Sequence, residues 1–221
     1  MKKTFYAAFI FAAFGMTACG EAEESTDEIT QEDAVEEVTT ETYTLNAAES
    51  TLEWRAAWVM PTEDGGLEEA KHHKGTINVT EGTVTATGDD ISGEFQIDLT
   101  SIEVTDLESG EGKESLEAHL MGQDEEKDPS HFFNTNEFTT AKVHVKEIVD
   151  GMAHVVLSVM GIELEQQVAI SANTSGDQMM MHGEFEFDMT DLGFAMTEPN
   201  PEDGNINPSI GFHLHLTLDK N

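Results

Sequence analysis

One cysteine stands in 221 residues, so no disulfide can form within the chain and no zinc site built on two or more thiolates is available. Basic residues are nearly as scarce. Ten Lys and Arg stand against 45 Asp and Glu, a formal charge of −35. Such a chain lacks the cations that neutralise a phosphate backbone, which excludes nucleic acid as a partner. Only five prolines interrupt the chain, and beyond the first twenty residues no apolar run is long enough to span a bilayer as a helix. There is no G-x-S-x-G elbow and no Ser or Cys marked by a positioned His, so nucleophilic catalysis has no signature. Carboxylate pairs for glycoside chemistry carry no weight where acids are this common. What is present is an ordinary share of apolar residues, 38%, with 7% aromatic, enough for a core whose acids lie on surfaces and tails.

Lys2 and Lys3 precede an apolar run from Phe5 to Phe14, with the length and order of a secretory signal. The run leads into Met16-Thr17-Ala18-Cys19-Gly20, which resembles the lipobox of bacterial lipoproteins. The resemblance implies a signal peptide over residues 1–18, cleavage before Cys19, and lipid attachment to its sulfur. Several acyl chains on one residue give stable membrane attachment. Residues 19–42 then hold ten acids, no base and no aromatic after the cysteine, the composition of a disordered tether. The expected location is the cell envelope, facing the periplasm or the exterior.

From Tyr43 to the end the hydrophobic period is two. Leu52, Trp54, Ala56, Trp58 and Met60 share a parity, as do Ile91, Gly93, Phe95, Ile97 and Leu99. Ile77 and Val79 lead to a turn expected at Glu81-Gly82 and then to Val84. Ala141 to Val145, Ala153 to Val159, Ile162 to Ile170, Met179 to Met189 and Ile210 to Leu218 continue the pattern. About eight strands with turn-length links predict an all-β fold, an eight-stranded antiparallel barrel, with a sandwich as the competing architecture. The exception is Lys113 to Met121, where Leu116 and Leu120 stand four apart; this predicts a short helix crossing one end of the barrel. Gln123 to Ser130 reads as a loop.

The run Tyr43-Thr44-Leu45-Asn46, then Glu49-Ser50-Thr51-Leu52-Glu53-Trp54, then Lys74-Gly75 resembles the opening of the YceI-like family. Gly93 to Ile102, Glu117-Ala118-His119-Leu120 followed by Phe132-Phe133-Asn134, Leu157 to Ile162, and Asp191-Leu192-Gly193-Phe194 extend the resemblance in order from Tyr43 to about Leu218, within a barrel domain expected over residues 43–221. It implies a lipocalin-like barrel whose interior holds an isoprenoid or similar long apolar chain, with no cofactor and no catalysis. Met189 replaces an arginine that the family often carries two residues before the late Asp, and Met160 replaces a histidine before the hairpin glycine. An inherited contact to an anionic headgroup is therefore not carried over.

Trp54, Trp58, Phe95, Phe132, Phe133, Phe185, Phe187, Phe212 and Leu214 are the candidate ligand-lining or mouth residues, Phe132 and Phe133 as a gate. A barrel of this size either fills with side chains or holds one small ligand; parity alone leaves both open. No metal site is assigned. His182, His213 and His215 share an outward face with Glu184, Glu186 and Asp188 if their strands pair, and His72 and His73 add another candidate, against the plainer reading of a solvated polar face. The function these residues imply is a membrane-anchored lipoprotein binding or carrying a polyprenyl or quinone-type lipid. The alternatives are an extracytoplasmic metal binder and a stress-protection module with a filled core. Whether two barrels form a homodimer is left open.

Overall fold

The computed structural model describes residues 38–124, 132–194 and 204–221. The signal sequence, Cys19 and most of the expected Gln123–Ser130 loop lie outside the described residues.

Alternating apolar residues make ten strands: β1 (Thr40–Leu45), β2 (Thr51–Pro61), β3 (Leu67–Thr87), β4 (Asp90–Val104), β5 (Thr140–Val149), β6 (Met152–Val159), β7 (Ile162–Ser175), β8 (Gln178–Asp188), β9 (Asn205–Ile206) and β10 (Ser209–Lys220). Every pairing is antiparallel, and β2 through β8 follow one another until β8 meets β10 and β10 returns to β2. The result is the closed eight-stranded antiparallel barrel that the alternation predicts. The extra strands are fragments of staves. Strand β1 pairs with β10 over Tyr43–Leu45 and with β3 over Thr40–Thr44, the same two neighbours that flank β2. A 3-10 turn at Ala47–Glu49 breaks this single stave. Across the break Asn46 donates its backbone N–H to Thr217, and Thr217 donates its own to the Ser50 hydroxyl at 3.0 Å, so the ladder stays satisfied.

One expectation fails. Glu81-Gly82 is not a turn: β3 runs unbroken for 21 residues, with register shifts against β4 between Thr76 and Asn78 and between Val79 and Glu81. Gly82 reads as a turn glycine in the sequence but serves close packing, since a Cβ there would lie 2.4 Å from the Phe95 ring. True hairpin turns occur at Asp150-Gly151 and Met160-Gly161, where both central residues have positive φ (51° and 77°, 50° and 77°). That is the turn whose twist matches paired strands. The first half of β3, Leu67–Lys74, pairs only with β2, and past Arg55 β2 pairs with β9 at Trp58 and Val59 in place of β10, so Ala56–Pro61, Leu67–Lys74 and β9 form a ribbon beyond the barrel.

Helix α1 (Lys113–Leu120) forms as expected. The Glu117 carboxylate accepts the Val104 backbone N–H at 2.9 Å, fixing the helix to the end of β4. Beside it, Asp188 caps a second 3-10 turn, Met189–Leu192, by accepting the Thr190 N–H; Gly193 ends that turn at φ 77°. Among the described residues no helix is long and apolar enough to cross a membrane.

Candidate functional site: an apolar lumen

Because side chains alternate across each strand, one parity of every stave converges on the barrel axis. Val84, Leu99, Ala153, Met179, Met181, Leu216 and Leu218 are each at most 2% exposed. They do not fill the interior. A cavity of about 120 Å³, measured to the centre of a water-sized sphere, runs among side chains from all eight staves. That is about eight times the space that admits one water. Every lining side chain is apolar, from Leu52, Ile77 and Phe95 round to Met181, Phe212 and Leu216. Such a space offers water no partner and favours hydrocarbon.

At Gly93 a Cβ would stand 2.7 Å from the Thr83 carbonyl and 3.0 Å from the Val84 Cγ2, so the glycine allows β3 and β4 to pack closely there. Gly183 likewise serves close packing: its Cβ site is taken by the Ile170 Cδ1, 2.3 Å away, with the Ala169 carbonyl at 2.8 Å. At Gly183 the wall also divides. Strand β7 pairs with β8 only over Ile170–Ser175; below that, Ile162–Ala169 pair with β6, Glu184–Asp188 pair with β10, and no register joins the two. The lips of this break carry Glu163, Glu165, Glu184, Glu186 and Asp188 on their outer face, all exposed. Charge on an unpaired edge discourages pairing with another chain. Behind the break stand Phe185 and Phe187, half-buried and lining the cavity.

The sequence candidates divide into three groups. Phe95, Phe133, Phe185, Phe187, Phe212 and Leu214 line the cavity. Phe185, Phe187 and Phe212 form one aromatic cluster with centroids 5.3 to 5.8 Å apart. Trp54 shares their inward parity but lies past the end of the cavity, 7% exposed, its indole N–H donating to the Thr76 carbonyl at 3.3 Å. Its ring occupies the place that Gly75 leaves, where a Cβ would approach within 2.7 Å of it. Phe132 also stands outside the lining: it is 8% exposed and packs edge-on against His119 at 5.1 Å, as part of the cap. Phe133 is the cap residue that reaches the cavity, with its edge on Phe194 at 5.2 Å. Trp58 does not line the lumen. It belongs to the ribbon beyond the barrel, beside a register shift at Trp58/Val59, with the Lys71 ammonium 5.4 Å from its ring.

Met189 closes the alternating set Met179 to Met189 but is not among the candidate ligand residues. It is 4% exposed and lines the cavity from the second 3-10 turn. The thioether therefore places an apolar group where the family resemblance often has arginine. Its inward parity is legible in the alternation; its place in a turn is not.

The outward histidines do not assemble with the carboxylates. Among the described residues no group of three or more His, Cys, Asp and Glu side chains could hold a metal ion. His213 contacts Glu53 at 3.3 Å, His73 contacts Asp106 at 3.0 Å and His72 contacts Glu69 at 2.9 Å, each an exposed pair. His182 and His215 meet each other, Nδ1 to Nδ1 at 3.1 Å. Basic residues are mostly engaged on the exterior as well: Arg55 with Glu69, Lys113 with Glu103, Lys146 with Glu165, and Lys220 with Glu41. Among the described residues none of them lines the cavity.

A sequence profile of the YceI-like domain matches residues 43–218. Among solved structures, BcnA of Burkholderia cenocepacia superposes with a TM-score of 0.56 at 12% identity, covering 78% of this chain and 98% of its own. A polyisoprenoid binding domain from Saccharophagus degradans, implicated in plant cell wall breakdown, superposes at 0.50 with 15% identity, covering 81% and 98%. At these identities the likeness is one of fold. No curated protein sequence matches the chain.

Proposed function

The chain belongs to the YceI-like domain family, and from that premise we propose that it is a membrane-anchored lipoprotein that holds the chain of an isoprenoid lipid in its barrel, carrying it without chemical change. The observation that supports this most directly is the cavity itself, central, lined from all eight staves, and without a polar side chain. The similar fold of a polyisoprenoid binding domain agrees with it. Anchorage and the cell-envelope location rest on Cys19 and the sequence before it.

Burying apolar carbon contributes about 0.8 kcal/mol per CH2, so one five-carbon isoprene unit contributes at most about 4 kcal/mol. Association costs roughly 4 to 15 kcal/mol in lost freedom. One unit barely breaks even, whereas several in series bind, which selects long chains over short ones without any polar contact. Met181 and Met189 in the wall give the adaptability that a methyl-branched guest requires.

The head of such a lipid has to remain outside an all-apolar lumen. With Met189 in the wall and five carboxylates on the lips of the β7–β8 break, the charge there opposes an anionic head. A neutral polyprenol or quinone fits these surroundings. Native mass spectrometry of the protein purified from its own host tests the reading: the expected result is one prenyl lipid per chain. Repeated recovery of lipid-free protein, together with failure of the stripped protein to take up a long-chain polyprenol, overturns it.

A further inference from the structure

The outer face of β8 and β10 carries a feature that lipid storage does not use. His182 and His215 are direct partners in the eleven-pair register between these strands. Their neighbours Met181 and Leu216 line the cavity, so both imidazoles face outward. The rings are half-buried, with centroids 4.5 Å apart and Nδ1 atoms 3.1 Å apart. Thr51 on β2 and Ser171 on β7 flank them in the same row.

Imidazole nitrogens bind zinc-sized divalent ions at 2.0–2.1 Å, so two of them on one ion stand about 2.9 Å apart at a right angle and about 3.3 Å apart at the tetrahedral angle. The observed separation falls between these limits. We propose that His182 and His215 form a two-histidine chelate for a first-row divalent cation, and that copper(II), highest in the Irving–Williams order, binds it most tightly. Two rigid paired strands hold the donors, so little ordering is needed on binding. The protein's charge of −35, with Glu53 and Glu184 two residues along on β2 and β8, concentrates cations at this face. Among the described residues no third His, Cys, Asp or Glu joins the pair, so water fills the remaining positions. The ion is therefore exchangeable and not a structural staple.

Titrating the full chain with copper(II) chloride tests the site by calorimetry and by electron paramagnetic resonance. The expected result is one saturable ion per chain with nitrogen donors. Affinity should fall by more than about tenfold, the low end of what losing even an outer-shell partner costs, in both His182→Gln and His215→Gln. In His154→Gln, which alters an exposed pair with Glu147, it should not change. No saturable binding, or binding of equal strength in the two pair variants, overturns the proposal. If either variant misfolds, nuclear magnetic resonance of the unaltered chain with zinc(II) decides. The ring signals of His182 and His215 should shift together at one equivalent; movement of other histidine signals instead overturns the site.

Discussion

Replacing Ala153 with leucine tests whether the barrel is hollow. Ala153 lies on β6 between Ile148 and Val168, is 0% exposed, and its methyl lines the cavity. Leucine adds three carbons. If they enter open space they contribute about 2.4 kcal/mol at 0.8 kcal/mol each. Ordering the longer side chain costs roughly 0.5 to 1 kcal/mol, leaving a net gain of about 1.5 kcal/mol. For a domain of this size that raises Tm by about 3 to 6 °C. In a tightly filled core the same change would overpack and cost roughly 1 to 3 kcal/mol. The two cases differ in sign, which thermal and guanidinium unfolding of lipid-stripped protein resolves. The stabilised variant should also bind a long-chain polyprenol more weakly, because leucine now occupies the guest's place. Loss of more than about 1 kcal/mol, with an unchanged denaturant slope, would refute the claim that the lumen is open at this depth.

Gly75→Ala should destabilise the barrel at or beyond the upper end of the roughly 1 to 3 kcal/mol range for overpacking. Its Cβ would lie 1.8 Å from the Glu103 carbonyl oxygen, backbone that cannot swing aside; an unchanged Tm would contradict this packing. Phe133→Ala should cost less than the roughly 3 to 5 kcal/mol of a fully buried phenylalanine yet speed prenyl-lipid release, which stopped-flow exchange measures; unaltered release would remove Phe133 from the gate. Glu114, at the start of α1, accepts hydrogen bonds from the Ser109 hydroxyl, its own N–H and the Gly110 N–H, which lower its pKa from 4.5 to about 2. Its stabilising contribution is therefore complete above pH 4.5 and is lost as pH falls through about 2. Carboxyl-carbon titration by nuclear magnetic resonance should find the midpoint near 2, moving upward in Ser109→Ala; a midpoint near 4.5 in the unaltered chain would count against these bonds.

Period-two alternation made most of the wall readable because burial acts on each residue independently of its partner. Phe95, Phe185, Phe187, Phe212 and Leu214 could thus be placed on the lumen from parity alone. The failures arise where geometry depends on pairing. Trp58 keeps the right parity, but β2 has by then left the barrel with β3. Gly82 has the composition of a turn and the function of a packing site against Phe95. The His182–His215 contact required the register of two strands more than thirty residues apart, which no local pattern encodes. The break between β7 and β8 had no signal either, since both strands alternate normally through it.

The stave shared by β1 and β2 also constrains how the molecule can form. Thr42 accepts the Asn221 N–H, and Tyr43 stands opposite Lys220, so the earliest strand, paired with β3 on one side, finds its second neighbour only once β10 has been made. Until then a growing polypeptide presents two raw margins, one on each side of an unfinished curl, and its acids are what keep those margins from joining other copies. Zipping the seam is consequently a late, slow event, and trimming a few residues from β10 should unfasten the cylinder and not merely fray it.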